Sequence, residues 1–216
     1  MSLTHSLAFS HLQPGLQALS QPPLLHGTPP RQQQRPCVLW FTGLSGAGKS
    51  TIANRVKQQL DKQGLASTLL DGDELRTGLC SGLGFSESDR IENIRRVAHV
   101  ARLMVQARLI VLVTLVSPLS AARAHARSLL PDGEFFEVFV DAPLATVQRR
   151  DTKGLYARAR GGESIQLTGV QAPYERPTAP ELRIDSSRGT VDDACEQVLT
   201  MLHAEDVLRA PPTWLL

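Results

Sequence analysis

Residues 37–51 read CVLWFTGLSGAGKST, and within them Gly43, Leu44, Ser45, Gly46, Ala47, Gly48, Lys49 and Ser50, with Thr51 behind, satisfy the G-x-x-x-x-G-K-S spacing position by position. Three glycines let the backbone curl without side-chain clashes, so that successive N–H groups point at phosphate oxygens. Lys49 adds a point charge for the β and γ phosphates of a nucleoside triphosphate such as ATP, and the Ser50 hydroxyl is placed to bind Mg2+. The pattern has this meaning only between a buried strand and a helix. Residues 38–42 are an apolar, β-rich run, and Ile52, Val56 and Leu60 recur at helical spacing after the loop. That helix presents its positive N-terminal end to the anion.

Further along, residues 66–70 read as a second short strand ending in Asp71, Gly72 and Asp73, followed by Glu74, Leu75 and Arg76. Alternating strands and helices predict an α/β fold: a parallel sheet with helices on both faces, a three-layer sandwich with the phosphate loop at its edge. Ligands in such sheets bind at the carboxyl ends of the strands, where the loop and both aspartates fall. Taken alone, Asp73 reads as a helix cap. Ser86 is an expected N-cap for a long helix with Ile91, Ile94, Ala98, Ala101 and Val105 as its inward stripe. Arg90 and Asn93, three apart, share a face of that helix near the ligand edge.

Residues 109–116 predict a central strand stopping at Ser117 and Pro118, and residues 135–140 another. A short helix then runs towards Arg149, Arg150 and Asp151. From about 152 to 173 the periodicity breaks, and Lys153, Arg158 and Arg160 alternate with glycines, predicting a basic, hinged lid loop over the site. Residues 182–185 predict a last strand, and Val191, Ala194, Val198 and Met201 or Leu202 a final amphipathic helix.

The chain has 216 residues, ample for one domain with tails, and a formal charge of +2 that argues for neither nucleic acid nor a membrane surface. No apolar run approaches the length of a membrane span. Cys37, Cys80 and Cys195 are far apart, so neither a disulfide framework nor a zinc site is expected, and a reducing cytoplasm fits. Residues 1–35 contain no Asp or Glu, are rich in Pro, Gln, Ser and Leu, and predict a disordered or mobile extension; they lack the Arg-rich amphipathic pattern of a transit peptide. The expected organisation is that extension, a phosphate-loop domain over 36–203, and an apolar tail over 204–216.

The blocks GLSGAGKST, DGDELR, LGFSESDRIENIRRVAHVA, SP, EVFVDAPL, RDTKGLYARAR, TGV and PYERP, in this order over roughly residues 36–202, resemble the adenylyl-sulfate kinase family. The resemblance implies transfer of the γ-phosphoryl group of Mg-ATP to the 3′-hydroxyl of adenylyl sulfate, giving 3′-phosphoadenylyl sulfate and ADP. By similarity, Asp71 orients the metal or accepts the hydroxyl proton and Asp73 lies beside the acceptor nucleotide. Arg76, Arg90 and Asn93 match positions that hold adenylyl sulfate, and Phe85 one that stacks on its adenine. Lys153 and Leu155 match further contacts to the two nucleotides. Ser117 matches a serine described as a phosphoserine intermediate, but no adjacent base in the sequence would activate it, and direct in-line attack by the 3′-hydroxyl needs no such intermediate. The family also suggests a homodimer and a functional link to ATP sulfurylase.

Some positions depart from the family. Leu119 and Ser120 stand where Tyr and Arg are common, with Arg123 and Arg127 further on; Cys80 and Gly82 stand where Asn and Asp are usual, and Leu167 replaces a Phe of the lid. Two rivals share the phosphate loop: a nucleoside monophosphate kinase and a silent nucleotide-binding module working beside an ATP sulfurylase. The DGD and KGLY blocks weigh against the first, and intact Lys49, Ser50, Asp71 and Asp73 against the second.

Overall fold

All six residues of Cys37–Thr42 are buried, and they form β1, the middle strand of a five-stranded sheet in the computed structural model, which describes residues 34–163 and 166–209. The following elements are α1 (Lys49–Lys62), β2 (Ser67–Asp71), α2 (Gly72–Thr77), α3 (Glu87–Gln106), β3 (Ile110–Thr114) and α4 (Ser120–Ser128). After them come β4 (Phe135–Asp141), α5 (Leu144–Arg150), α6 (Leu155–Arg160), β5 (Leu182–Asp185) and α7 (Val191–Ala204). The strands lie in the order β2-β3-β1-β4-β5, and every pairing is parallel.

A strand apolar on both sides needs a cover on each face. Cys37, Leu39 and Phe41 pack into the cluster holding Ile52, Val56 and Leu60 of α1 and Val198 and Leu202 of α7. Val38 and Trp40 alternate to the other face and join Ile94, Val97, Ala98 and Ala101 of α3 with Ala122 and Ala126 of α4. Each large apolar side chain withdrawn in this way contributes roughly 1.5–3 kcal/mol. Among the described residues, no helix is long and apolar enough to cross a membrane.

The register sets the site. Asp71, last in β2, pairs with Thr114, last in β3, and Thr114 pairs with Phe41 on the other side. The ends of β2 and β3 therefore deliver Asp71 and Thr114 side by side to one edge, next to the end of β1. β3 is shorter than the expected 109–116, because beyond Thr114 the chain leaves the sheet for a turn in which Ser117 has φ of +38°.

Ser86 caps α3 as expected, accepting from Asp89 N at 3.2 Å. The expected inward stripe needs one correction: Ile91 is 44% exposed, while Asn93 and Val97 are buried. The expected lid loop also contains a helix, α6, whose first-turn N–H groups at Tyr156 and Ala157 donate to the Asp151 carboxylate at 3.0 and 2.8 Å. Val191 opens α7 but is exposed, so that helix is anchored by Ala194, Val198, Met201 and Leu202.

At the amino edge of the sheet, Gln34 forms an antiparallel bridge with Leu208, and Arg35 N donates to Val207 O at 2.9 Å. Of the expected extension over 1–35 only these two residues are described, and the tail from 210 onward also lies outside the described residues.

Candidate active site

From Thr42 the chain turns into the loop at Gly43, whose φ is +145° and where a Cβ would stand 2.3 Å from Val140 O, so only glycine fits. Gly46 and Gly48 also have positive φ, and Gly48 begins α1 without a capping side chain. Several loop carbonyls accept hydrogen bonds from side chains. Lys49 Nζ donates to Gly43 O and Leu44 O, both at 2.9 Å, Tyr156 Oη to Ser45 O at 2.9 Å, and Ser186 Oγ to Ala47 O at 2.7 Å. In a trans peptide the N–H opposes the C=O, so each carbonyl fixed in this way also fixes the direction of the N–H that follows it.

The loop forms one wall of a cleft of about 830 Å³. Of the residues expected at the site, Ser45, Gly46, Gly48, Lys49, Ser50, Thr51, Asp71, Asp73, Arg76, Phe85, Arg90, Asn93, Ser117, Lys153 and Leu155 line it. Gly43, Leu44 and Ala47 do not; Ala47 is wholly buried, and Leu44 packs against Gly169. Sequence reasoning missed Thr114, Gln166 and Thr168. Only the pairing of Thr114 with Asp71 across the sheet reveals the first, and its mark in the sequence is a lone polar residue at the end of an apolar strand.

Beneath the loop three oxygens converge. Ser50 Oγ and Thr114 Oγ1 donate to Asp71 Oδ2 at 2.6 and 2.7 Å, and Asp73 N donates to Asp71 Oδ1 at 2.9 Å. Asp71, rather than Asp73, is thus the cap of α2. Burial pushes the Asp71 carboxyl up, but these hydrogen bonds and the Lys153 charge outweigh it and hold its pKa below the usual carboxylate range. A donor set of hydroxyl and carboxylate oxygens suits a hard divalent cation such as Mg2+. Among the described residues no cluster of three His, Cys, Asp or Glu forms a cage of its own.

Lys49 is buried, and desolvation pushes its pKa down; Lys153 adds to this, Asp73 and Asp71 partly offset it, and the result is about 8. Lys153 itself forms an ion pair with Asp73, joining the expected lid to the DGD turn.

Across the cleft, the Phe85 ring is 56% exposed, with the Arg76 guanidinium 4.3 Å from its centroid and that of Arg90 at 5.8 Å. Arg90 Nη1 also donates to Thr168 Oγ1 at 2.7 Å, linking α3 to the later part of the expected lid. Asn93 is buried with its Oδ1 unpartnered at the cleft. Ser117 Oγ accepts from Trp40 Nε1 at 3.1 Å, a bond that orients the hydroxyl without activating it.

The departures fall in definite places. Ser120 N and Oγ both donate to Glu175 Oε2 at 2.6 Å, fastening the start of α4 to the PYERP segment. Leu119 packs against the α3–α4 core, Cys80 is buried there, and a side chain at Gly82 would meet open space. Leu167 lines the cleft but is 6% exposed and belongs to the core. Arg123 is buried against Glu137, and Arg127 makes two bonds to Glu181, each 2.8 Å, so neither replaces an arginine facing the cleft.

A sequence model described as adenylylsulphate kinase matches residues 35–185. The chain is 54% identical over 179 residues to the bifunctional enzyme NodQ of Azospirillum brasilense, covering 83% of this chain but only 29% of that protein. It is 50% identical over 179 residues to the adenylyl-sulfate kinase of Marinobacter nauticus, covering 83% of this chain and 90% of the relative. Among solved structures, the Mycobacterium tuberculosis APS kinase in complex with AMPPNP and APS superimposes with a TM-score of 0.75 at 47% identity, over 79% of this chain and 99% of that one.

Proposed function

The chain belongs to the adenylylsulphate kinase family, and from that premise we propose that it transfers the γ-phosphoryl group of ATP to the 3′-hydroxyl of adenylyl sulfate, with the cleft residues dividing the work. The observation that carries the reading is the sharing of one cleft by the phosphate loop and by the Arg76, Phe85, Arg90 and Asn93 wall, with Asp71, Asp73 and Lys153 among its lining.

Phosphoryl transfer asks a protein for position and charge neutralisation more than for covalent chemistry. The loop N–H groups and Lys49 hold the ATP phosphates. Ser50 and Asp71 would hold Mg2+, which would supply neutralisation of the charge that develops during transfer. Asp71, kept ionised by its hydrogen bonds, is the metal-side carboxylate, and a poor proton acceptor at neutral pH. Asp73, more exposed and bonded to Lys153, is the carboxylate that orients the acceptor hydroxyl. Phe85 offers a flat face to the adenine of adenylyl sulfate, and the forked donors of Arg76 and Arg90 suit its phosphate and sulfate oxygens. Leu155 contributes an apolar contact from α6. Ser117, fixed by Trp40, forms part of the floor.

ADP release from Mg-ATP by the purified chain is expected to require adenylyl sulfate and to be far slower with AMP. Preference for AMP would move the acceptor to the monophosphate-kinase class, and ATP binding without turnover on either acceptor would make the chain a silent module.

ATP affinity is expected to be flat below pH 8 and to fall above it. The protonated Lys49 binds phosphate, and that form is lost as pH rises through its pKa of about 8. Bound phosphate raises the pKa again, so the loss approaches tenfold per pH unit until the complex itself deprotonates. Calorimetry at pH 8.5 in two buffers of different ionisation enthalpy should register proton uptake on binding; equal heats in both would contradict it.

The resemblance also supports a homodimer, a cytoplasmic location, a functional link to ATP sulfurylase and a lid over about 152–173. A solution mass of twice 23.5 kDa checks the first.

A further inference from the structure

We propose that Tyr156 is a positioning residue: its hydroxyl ties α6 to the phosphate loop and so sets where Lys153 stands in the cleft. The inference rests on the kinase reading of Lys153 given above.

Tyr156 is the second residue of α6 and is 2% exposed, its ring packed in the core cluster with Ala47 and Val147. Its hydroxyl donates to Ser45 O at 2.9 Å. Burial, with a smaller contribution from the Asp151 charge, pushes the phenol up to about 12, so it remains a donor through the working pH range. Lys49 takes the carbonyls of Gly43 and Leu44, and Tyr156 takes the next one. The orientation of that peptide plane, and of the N–H behind it, therefore depends on a residue more than a hundred positions away.

The other end of the connection is equally definite. Asp151, at φ of +26°, accepts from Tyr156 N and Ala157 N, and Gly154 makes the turn into α6 with φ of +66°. Lys153 lies between these fixed points, two residues after Asp151 and three before Tyr156, and from there pairs with Asp73. A shift of α6 against the loop carries Lys153 with it. Packing alone would retain the ring, but the hydroxyl fixes which loop carbonyl the helix addresses.

Tyr156→Phe keeps the ring and removes the bond. Acceptor-dependent kcat/KM is expected to fall about fivefold, the size of one net hydrogen bond, with faster amide hydrogen exchange over residues 153–160. A double-mutant cycle with Lys153→Ala separates positioning from general stability, because the Tyr156→Phe effect should disappear when Lys153 is already absent. An equal Tyr156→Phe effect in both backgrounds, or exchange over 153–160 at the parent rate, overturns the proposal. If the parent itself shows no acceptor-dependent turnover, the kinase reading fails, while the exchange measurement still decides whether Tyr156 holds α6 to the loop.

Discussion

Lys49→Ala is expected to reduce acceptor-dependent ADP release by about a thousandfold, while leaving the folded protein nearly as stable as its parent. Removing one preorganised charge or donor from a transition state typically costs 10²–10³ in rate, and about a thousandfold is roughly 4 kcal/mol. Lys49 belongs at the upper end, because its ammonium lies in a buried site where electrostatic interactions are weakly screened. Stability follows different arithmetic. The same burial that depresses the Lys49 pKa to about 8 makes its charge costly to keep, which offsets the two hydrogen bonds to Gly43 and Leu44 carbonyls. Lys49→Arg should not rescue turnover, since a planar guanidinium cannot occupy the place of a compact ammonium. Steady-state assays beside thermal melts check both halves. A Lys49→Ala rate within tenfold of the parent would remove the lysine from the chemistry.

The second large effect concerns stability. Arg123→Ala is expected to cost about 3–5 kcal/mol, the usual loss when one member of a buried pair is deleted. For a chain of this size that lowers Tm by roughly 6–20 °C. Arg123 is 4% exposed and spends its donors on three groups: Glu137 Oε1 at 2.6 Å, Ser117 O at 2.7 Å and Glu175 O at 2.8 Å. Its removal leaves a carboxylate buried in β4, takes the side-chain donor from the Glu175 carbonyl and leaves the Ser117 carbonyl with only Thr42 Oγ1 at 3.5 Å, which loosens the left-handed turn at Ser117. Arg127 approaches Glu137 only to 4.0 Å and is already committed to Glu181, so it cannot take over. Differential scanning fluorimetry reads the shift, and a Tm within 2 °C of the parent would show the pair to be energetically idle.

The sequence is most legible where a local signal repeats a physical rule. The strand, glycine loop and helix around Lys49 follow from spacing, and Ser86 as a cap follows from its position ahead of an apolar stripe. It is least legible where partners are distant. Arg123 and Glu137 stand fourteen residues apart with no local signal joining them, and only the packing of α4 on the sheet makes them a buried pair. Ile91 reads as inward because it is apolar, yet the helix turns Asn93 inward instead: an apolar period rewards apolar residues and cannot register a cleft that wants an amide. The six residues of α6 are too few to show a period, and the carboxylate of Asp151 that caps them lies outside the helix. For the same reason Thr114 escaped notice, since its meaning comes from the strand register beside Asp71.

The bridge between Gln34 and Leu208 has an architectural consequence. Both ends of the folded body leave the same edge of the sheet, and the six residues of β1, roughly 20 Å at strand rise, separate that edge from the phosphate loop. A chain begun at residue 34 and ended at residue 209 would therefore have both termini at the pole opposite the phosphate loop. Joining these adjacent ends and reopening the chain at the exposed turn around Gly133 should give a circular permutant that keeps the sheet order and the site intact.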